Sequence, residues 1–598
     1  MGAAPGPSTV TQTAFQYTST RSIFTFDVAG KVTMTVTFLS PVYPNDFVKK
    51  SLQYSYVDVS VVSADGSSHS VSVYMDMSGE WMAGDRTTVI DWATGTYNGV
   101  AYHKFWNPSQ VIYQEKNDQA NWGTVFLGTT SGQGMTYQIG EDTVVRTQFV
   151  NNRVLNDTVD SDFRAVNSNW PVFAFAHDLG TIGTSAVSVQ FGLGLCQIYT
   201  INFQGSGSSA QSLQGNWYDE WSDGIYAMAD WVSGYSTEAT YSTQIDSDVY
   251  ADSYAAAGSN YAAITTLAVR QAFGGLQPGK GTSQSYLFLK EISSDGDIST
   301  VDVIFPAFPI LAYFNTTLVK LLLDPLYENQ ESGHYPNTYS MHDLGTFPNA
   351  LGYPAGNDEE MPVEECGNMI IMTLSYAQKS GDTAYLTKHY SKLQQWTSYL
   401  VNDSLIPANQ LSTDDFAGTL ANQTNLALKG IIGIAAMGKI AQLTGNSDTY
   451  TSTAQSYISQ WYSYGINSAA SPPHTELDYN DATSWGLLYN LYADKILGLG
   501  LVKSAVYDQQ SAFYPTVENT YGVPLDTRHT YTKLDWQCWV AAIASNSTRD
   551  SFYSTIVSWL GNTSARVPMT DWYQTTDGTS PGFIARPVVG GLFAELAL

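Results

Sequence analysis

Between Lys320 and Lys379 the chain carries no Lys or Arg, yet it holds nine carboxylates: Asp324, Glu328, Glu331, Asp343, Asp358, Glu359, Glu360, Glu364 and Glu365. Carboxylates without cationic neighbours repel one another, and burial raises their pKa values, which suits general acid–base chemistry. Tyr335, Tyr339, Phe347 and Tyr353 are interleaved with them, more aromatic surface than a solvated acidic loop needs. The acids divide by position. Asp324, Glu328 and Glu331 fall on or just after a helix, and Asp358, Glu359 and Glu360 read as rim acids. Glu364 and Glu365 follow Pro362, a residue suited to the first turn of a helix. Successive helical residues point about 100° apart, so at most one of the pair faces a site squarely. Asp343, in the string His342-Asp343-Leu344-Gly345, and Asp415, which follows Asp414, are the other leading acids. The same tetrapeptide recurs at His177, so that string alone carries little. Each of these acids has a structural alternative, capping a helix or fixing a loop.

Other nucleophile and metal patterns are weak. No Ser stands three positions before a Lys, and the Thr-x-x-Lys matches at Thr317/Lys320 and Thr530/Lys533 are close to chance. The Gly-x-Ser-x-Gly match at Gly578 contains Pro581 in a Gly/Thr-rich loop, wrong for a strand-to-helix elbow. Cys366 reads as a buried structural thiol, because the adjacent Glu364 and Glu365 would raise its pKa. No His-Glu-x-x-His or Cys-x-x-Cys pairing occurs, so no metal or other cofactor is expected. Asp295-Gly296-Asp297 lacks the full EF-hand pattern.

The elements that must position these groups fall into two regimes. Lys31–Leu39 alternates at period two, and Tyr54–Met77 holds two alternating runs around Ala64-Asp65-Gly66, a hairpin signal. Further strands are predicted at Thr143–Val150 and Ala186–Leu195, and Gln204–Gly215 reads as a Gly/Ser-rich loop. After about Glu238 the period becomes helical, most clearly at Asn425–Gly445. Gly381-Asp382 and Gly445-Asn446 each place a Gly stop before an N-capping start, the punctuation of a tight helical hairpin. The reading is a β-sandwich-like domain over 1–237 followed by an α/α toroid of repeated helical hairpins over 238–598, whose loops form the binding funnel.

Composition narrows the partners. The 26 basic and 54 acidic residues give a net charge of -28, which repels phosphate backbones and anionic lipid, so neither nucleic acid nor a membrane surface is expected. Only 13% of residues are charged, a composition common in secreted enzymes. Sequons at Asn156, Asn315, Asn402, Asn422, Asn546 and Asn562 add to that reading and imply N-linked glycans. Three cysteines allow one disulfide at most. The N-terminal string Met1–Val10 lacks a signal-peptide pattern. Nothing in the sequence fixes an oligomeric state.

Uncommon strings then become recognisable: Phe288–Pro309, Tyr339–Gly345, Gly356–Met372, Ser484–Lys495, Gly522–Trp536 and Arg586–Gly591. Through them the chain resembles the fungal glutaminase A family from about Phe15 to the C-terminus. The resemblance implies a secreted, extracellular or wall-associated amidohydrolase that converts L-glutamine to L-glutamate and ammonia. It also implies an N-terminal β-sandwich-like domain followed by an (α/α)6 toroid of six helical hairpins. Family members usually carry a further stretch ahead of the matching part, so the first domain is expected to lack strands.

Amide hydrolysis needs a nucleophile, oxyanion stabilisation and a proton for departing ammonia. With the nucleophile motifs weak, water activated by Asp343, Glu364, Glu365 or Asp415 remains. Free glutamine also needs a cation for its α-carboxylate. Arg528 is the candidate, with a salt bridge to Asp526 or Asp535 as its structural alternative. His529 is a possible acid or base, Asp535 or Asp481 could hold the α-ammonium, and Trp485, Trp536 and Tyr531 would form apolar walls. The residues leave an inverting glycoside hydrolase open, with two separated acids drawn from Asp343, Glu364 and Asp415. A non-catalytic carbohydrate-binding protein is a further alternative.

Overall fold

The computed structural model describes residues 8–412 and 414–598, so most of the Met1–Val10 string lies outside it. The chain divides into two compact units. One holds the residues up to Ile201 with Ser212–Ser247 and Pro278–Lys280, and the other Asn202–Gln211, Asp248–Gln277 and Gly281–Leu598.

The first unit is a two-sheet sandwich. Its nine-stranded sheet runs, in spatial order, Thr11–Tyr17, Arg21–Val28, Val32–Leu39, Gln53–Ser63, Val187–Cys196, Thr124–Thr130, Val100–Trp106, Val89–Tyr97 and Arg164–Ala165. The four-stranded sheet runs Thr158–Val159, Met135–Glu141, Pro171–Ile182 and His69–Ser78. Val57 and Val59 of one sheet share a buried core with Val73, Met77, Phe173 and Phe175 of the other. An apolar cavity of about 700 Å³ is lined by Val36, Val59, Val71, Met75 and Phe149.

Two sequence expectations change here. The runs flanking Asp65-Gly66 are both strands but do not form a hairpin. Gln53–Ser63 pairs with Val32–Leu39 and Val187–Cys196, whereas His69–Ser78 pairs with Pro171–Ile182. The turn crosses between sheets, so the alternating apolar faces meet through the core instead of along an edge. The strand expected at Thr143–Val150 is the helix Asp142–Asn152, ended by Arg153 in the left-handed region at φ 62°. Val145 and Phe149, four apart, pack on Val172 and Ala174, while Val144 and Val150 face solvent. An i, i+4 apolar pair therefore outweighs the β-branched run.

The second unit is built on antiparallel helices. Pro362–Ser380 ends at Gly381, left-handed at φ 76°, and Asp382 caps Thr383–Asp403 by accepting from the Tyr385 amide at 3.1 Å. Thr424–Thr444 ends at Gly445 in the same way, and Asp448 accepts from the Thr451 amide at 3.0 Å ahead of Tyr450–Gly465. Glycines let the central helices approach: a Cβ on Gly433 would lie 3.4 Å from the Gly367 Cα, and one on Gly367 2.6 Å from Lys429 Cγ. Thr424–Thr444 has the length and apolarity of a membrane span, but it packs on Pro362–Ser380, Thr383–Asp403 and Tyr450–Gly465 and is mostly buried. Cys196, Cys366 and Cys538 are buried free thiols.

Candidate active site

Five stretches of the second unit converge on His342. The helix Val301–Phe314 brings Asp302 in its first turn, and Pro362–Ser380 brings Glu364 and Glu365, with Pro362 at its start. The loop ahead of that helix supplies His342, Asp343 and Glu359. A short 3-10 turn supplies Asp415, and the C-terminal stretch supplies Arg586.

His342 is fixed from one side. Its Nδ1 lies 2.8 Å from Asp343 Oδ2, and Asp343 Oδ1 accepts from the Gly345 amide at 2.5 Å and the Tyr353 hydroxyl at 2.7 Å. Asp343 therefore has both oxygens engaged and orients the ring. Nε2 points at Asp302 Oδ1, 3.5 Å away, and at Glu359 Oε2, 3.8 Å away. Burial opposes the imidazolium charge, yet Asp343, Asp302 and Glu365 together hold His342 above its ordinary pKa. Burial, with repulsion from Asp343 and Glu291, pushes Asp297 up to about 7.

Glu364 and Glu365 separate as helical geometry requires. Glu364 forms a fully buried ion pair with Lys429, whose Nζ also donates to Asn368 Oδ1 at 2.7 Å and lies 4.1 Å over the Phe305 ring. Glu365 turns toward Asp302 and His342. Its Oε2 accepts from Asn368 at 3.0 Å, and its buried Oε1 has no hydrogen-bond partner among the described residues. Asp415 is half-buried and accepts from the Phe416 amide at 2.7 Å. Burial raises its pKa, opposed by that amide and by the charges of Arg586 and His342.

A cationic arm adjoins the acids. Lys533 contacts Asp535 at 3.1 Å and Asp571 more closely, all three buried. The buried Arg586 guanidinium sits 3.6 Å from both Asp571 and Glu291 and stacks 4.5 Å over Phe583. Its Nε–H has no acceptor among the described residues. Phe416, Tyr531, Trp572 and Phe583 form a half-buried aromatic wall, with ring centroids 4.9–5.5 Å apart.

The sequence candidates are thus distributed unevenly. Asp343, Glu365 and Asp415 gather around His342, with Glu364 one layer deeper. Asp535 belongs to the Lys533 arm. Trp536 is buried, stacked 4.0 Å on Tyr489, and donates to Asp414 at 3.1 Å. Arg528 spends Nε and Nη2 on Asp526, at 3.1 and 2.7 Å, and borders a cavity of about 30 Å³, too small for an amino acid. His529 stacks on Tyr531 at 4.4 Å. Asp481 is exposed and binds its own turn through Thr483, while Trp485 packs on Phe513. Asp302, His342 and Arg586 were missed as site residues, although each lies within a string that carried the family resemblance.

The helical hairpins and the buried carboxylate floor define the class, a six-hairpin α/α toroid preceded by a β domain. A bacterial glucoamylase complexed with acarbose shares that fold, with a TM-score of 0.51 at 8% identity, over 98% of this chain and 85% of that one. Residues 258–596 match the glutaminase A six helical-hairpin domain, and residues 20–252 a domain of unknown function, DUF5127. The chain is 50% identical to Glutaminase A of Aspergillus oryzae over its full length and 88% of that protein. It is 34% identical to a probable glutaminase of Arthroderma benhamiae, over 96% of this chain and 77% of the relative. The chain belongs to the glutaminase A family.

Proposed function

We propose that the protein is a secreted glutaminase that hydrolyses the side-chain amide of L-glutamine to L-glutamate and ammonia. The observation that carries this is the 50% identity to Glutaminase A across the whole chain. The site supports it chemically, because a zwitterionic amino acid asks for a cation and anions in one pocket. Arg586, with an uncommitted Nε–H and two long carboxylate contacts, suits the α-carboxylate. The surrounding acids suit the α-ammonium, and the aromatic wall the methylene chain.

Water is the nucleophile in this reading. Asp415 takes a proton from water as its oxygen bonds to the side-chain carbonyl carbon. It then gives that proton to the amide nitrogen as the C–N bond breaks, releasing ammonia and leaving glutamate. Its burial-raised pKa suits a group that must both accept and return a proton. The exposed sequon asparagines Asn156, Asn402, Asn546 and Asn562 carry N-linked glycans in this reading.

Ammonia release from L-glutamine, measured beside L-asparagine and a panel of aryl glycosides, tests the activity. Glycoside turnover without ammonia from glutamine would replace it with an inverting glycosidase. Asp415→Asn is expected to lower kcat at least about 100-fold, the usual scale for losing a general acid–base. Near-normal turnover in a folded Asp415→Asn protein would remove Asp415 from the reaction.

A further inference from the structure

Two carboxylate oxygens at the bottom of the site lack a hydrogen bond among the described residues. Asp302 and Glu365 are buried, and Asp302 Oδ1 and Glu365 Oε1 have no hydrogen-bond partner among the described residues. Leaving a buried carboxylate oxygen unsatisfied is costly, so two in one cluster call for an occupant. Asp302 Oδ1 faces His342 Nε2, and one carboxylate oxygen from each acid and one ring nitrogen of His342 lie within 4.8 Å of one another. The 3.5 Å between His342 Nε2 and Asp302 Oδ1 is close to the separation, roughly 3.4 Å, of two ligands about 2.1 Å from a tetrahedral ion.

The back of the histidine has the matching arrangement. Asp343 takes the Nδ1 side at 2.8 Å and is itself held by Gly345 and Tyr353. A carboxylate on the far nitrogen fixes the tautomer, orients the ring and raises the basicity of the nitrogen that binds a metal. The other nearby grouping, Asp297, His342 and Asp343, is less suited, because both Asp343 oxygens are already engaged by these contacts.

We propose that Asp302, His342 and Glu365 hold a divalent cation of the zinc or manganese kind. One imidazole and two carboxylates suit such borderline ions better than soft copper(I). Three protein ligands leave at least one position for water or substrate, as catalytic rather than structural sites do. When bound, the ion would polarise a carbonyl or lower the pKa of a coordinated water. Asp302 and Glu365 hold the ion, and Asp343 positions His342. The ligands stand at 302, 342 and 365, each separated from the next by more than 20 residues, so no local spacing motif announces them. The inference goes beyond the glutaminase reading, and metal binding can be measured without turnover.

The test uses the full chain, stripped with a chelator and exchanged into metal-free buffer. Calorimetric titration with Zn2+ and with Mn2+ is expected to show one saturable site per chain. The Mn2+-loaded protein is expected to show coupling to a single imidazole nitrogen in pulsed electron paramagnetic resonance. Asp302→Asn, Glu365→Gln and His342→Ala are each expected to weaken binding at least 10-fold, the lower end for losing a ligand or its support, whereas Asp297→Asn binds as the parent does. No stoichiometric uptake, bound Mn2+ without imidazole coupling, or unchanged binding in Asp302→Asn and Glu365→Gln would each overturn the site. Should a variant fail to fold, the resonance measurement on the parent protein still decides the matter.

Discussion

Arg586 and Arg528 show how the surroundings of one guanidinium decide its availability. Arg528 faces Asp526 across a close fork, with Nη2 2.7 Å from Oδ2, and is about one-third exposed. Arg586 is buried, stands 3.6 Å from each of two carboxylates and keeps Nε–H open. Replacing Arg586 by Lys keeps the charge and loses the planar fork. The variant is expected to raise KM for glutamine about 10- to 100-fold, a cost of about 1.4–2.8 kcal/mol in binding, with a smaller change in kcat. A merely structural role would affect all substrates alike. The second readout is therefore 4-aminobutanamide, glutamine without its α-carboxylate, against which the preference for glutamine should narrow. An unchanged preference would return the carboxylate-binding role to another cation. Arg586 could have been suspected from the sequence, since basic residues are scarce and it opens the string Arg586–Gly591. Its separation from Glu291 by nearly 300 residues is what hid the pairing.

Hairpin punctuation was legible at the scale of elements because it is local chemistry. A glycine able to adopt positive φ followed by an Asp that caps the next helix can be read from a few residues, and both occur at Gly381-Asp382. Sheet membership was not, because the partner of His69–Ser78 lies about 100 residues away and the intervening turn has no hairpin obligation. The strand expected at Thr143–Val150 was lost to a tertiary contact, Val145 and Phe149 on Val172 and Ala174. Close helix packing offers a test at this scale. Gly367→Ala places a methyl 2.6 Å from Lys429 Cγ, inside a fully buried ion pair. It is expected to destabilise the protein by about 1–3 kcal/mol, read as a lower melting temperature. A melt indistinguishable from the parent would mean that Lys429 yields without strain.

Stability against pH belongs to the whole molecule, and Asp414 is one group whose share can be isolated. Burial, with repulsion from Asp535, raises its pKa to about 7 against the opposing charge of Lys533, while Tyr489 and Trp536 donate to it at 2.8 and 3.1 Å. An acid raised in the fold keeps its proton after the unfolded chain has released its own. The folded state then binds more protons, and stability falls as pH climbs from about 4 to about 7. Asp414→Asn removes that loss while retaining a neutral hydrogen-bonding group. Its advantage over the parent in urea unfolding is expected to be larger at pH 8 than at pH 5, by up to a few kcal/mol. An equal difference at the two pH values would place the proton elsewhere.

The buried thiols have a practical consequence for handling and for watching the protein open. Cys196 lies in the first compact unit, and Cys366 and Cys538 in the second. Burial pushes Cys196 up to about 12 and holds the other two above the usual thiol range, so none offers appreciable thiolate at neutral pH. The fold depends on no cross-link among them, and reducing agents leave its covalent framework unchanged. A colorimetric disulfide reagent added to the native enzyme would therefore act as a clock for opening. Single-cysteine variants would time the two halves separately, without any label having been introduced.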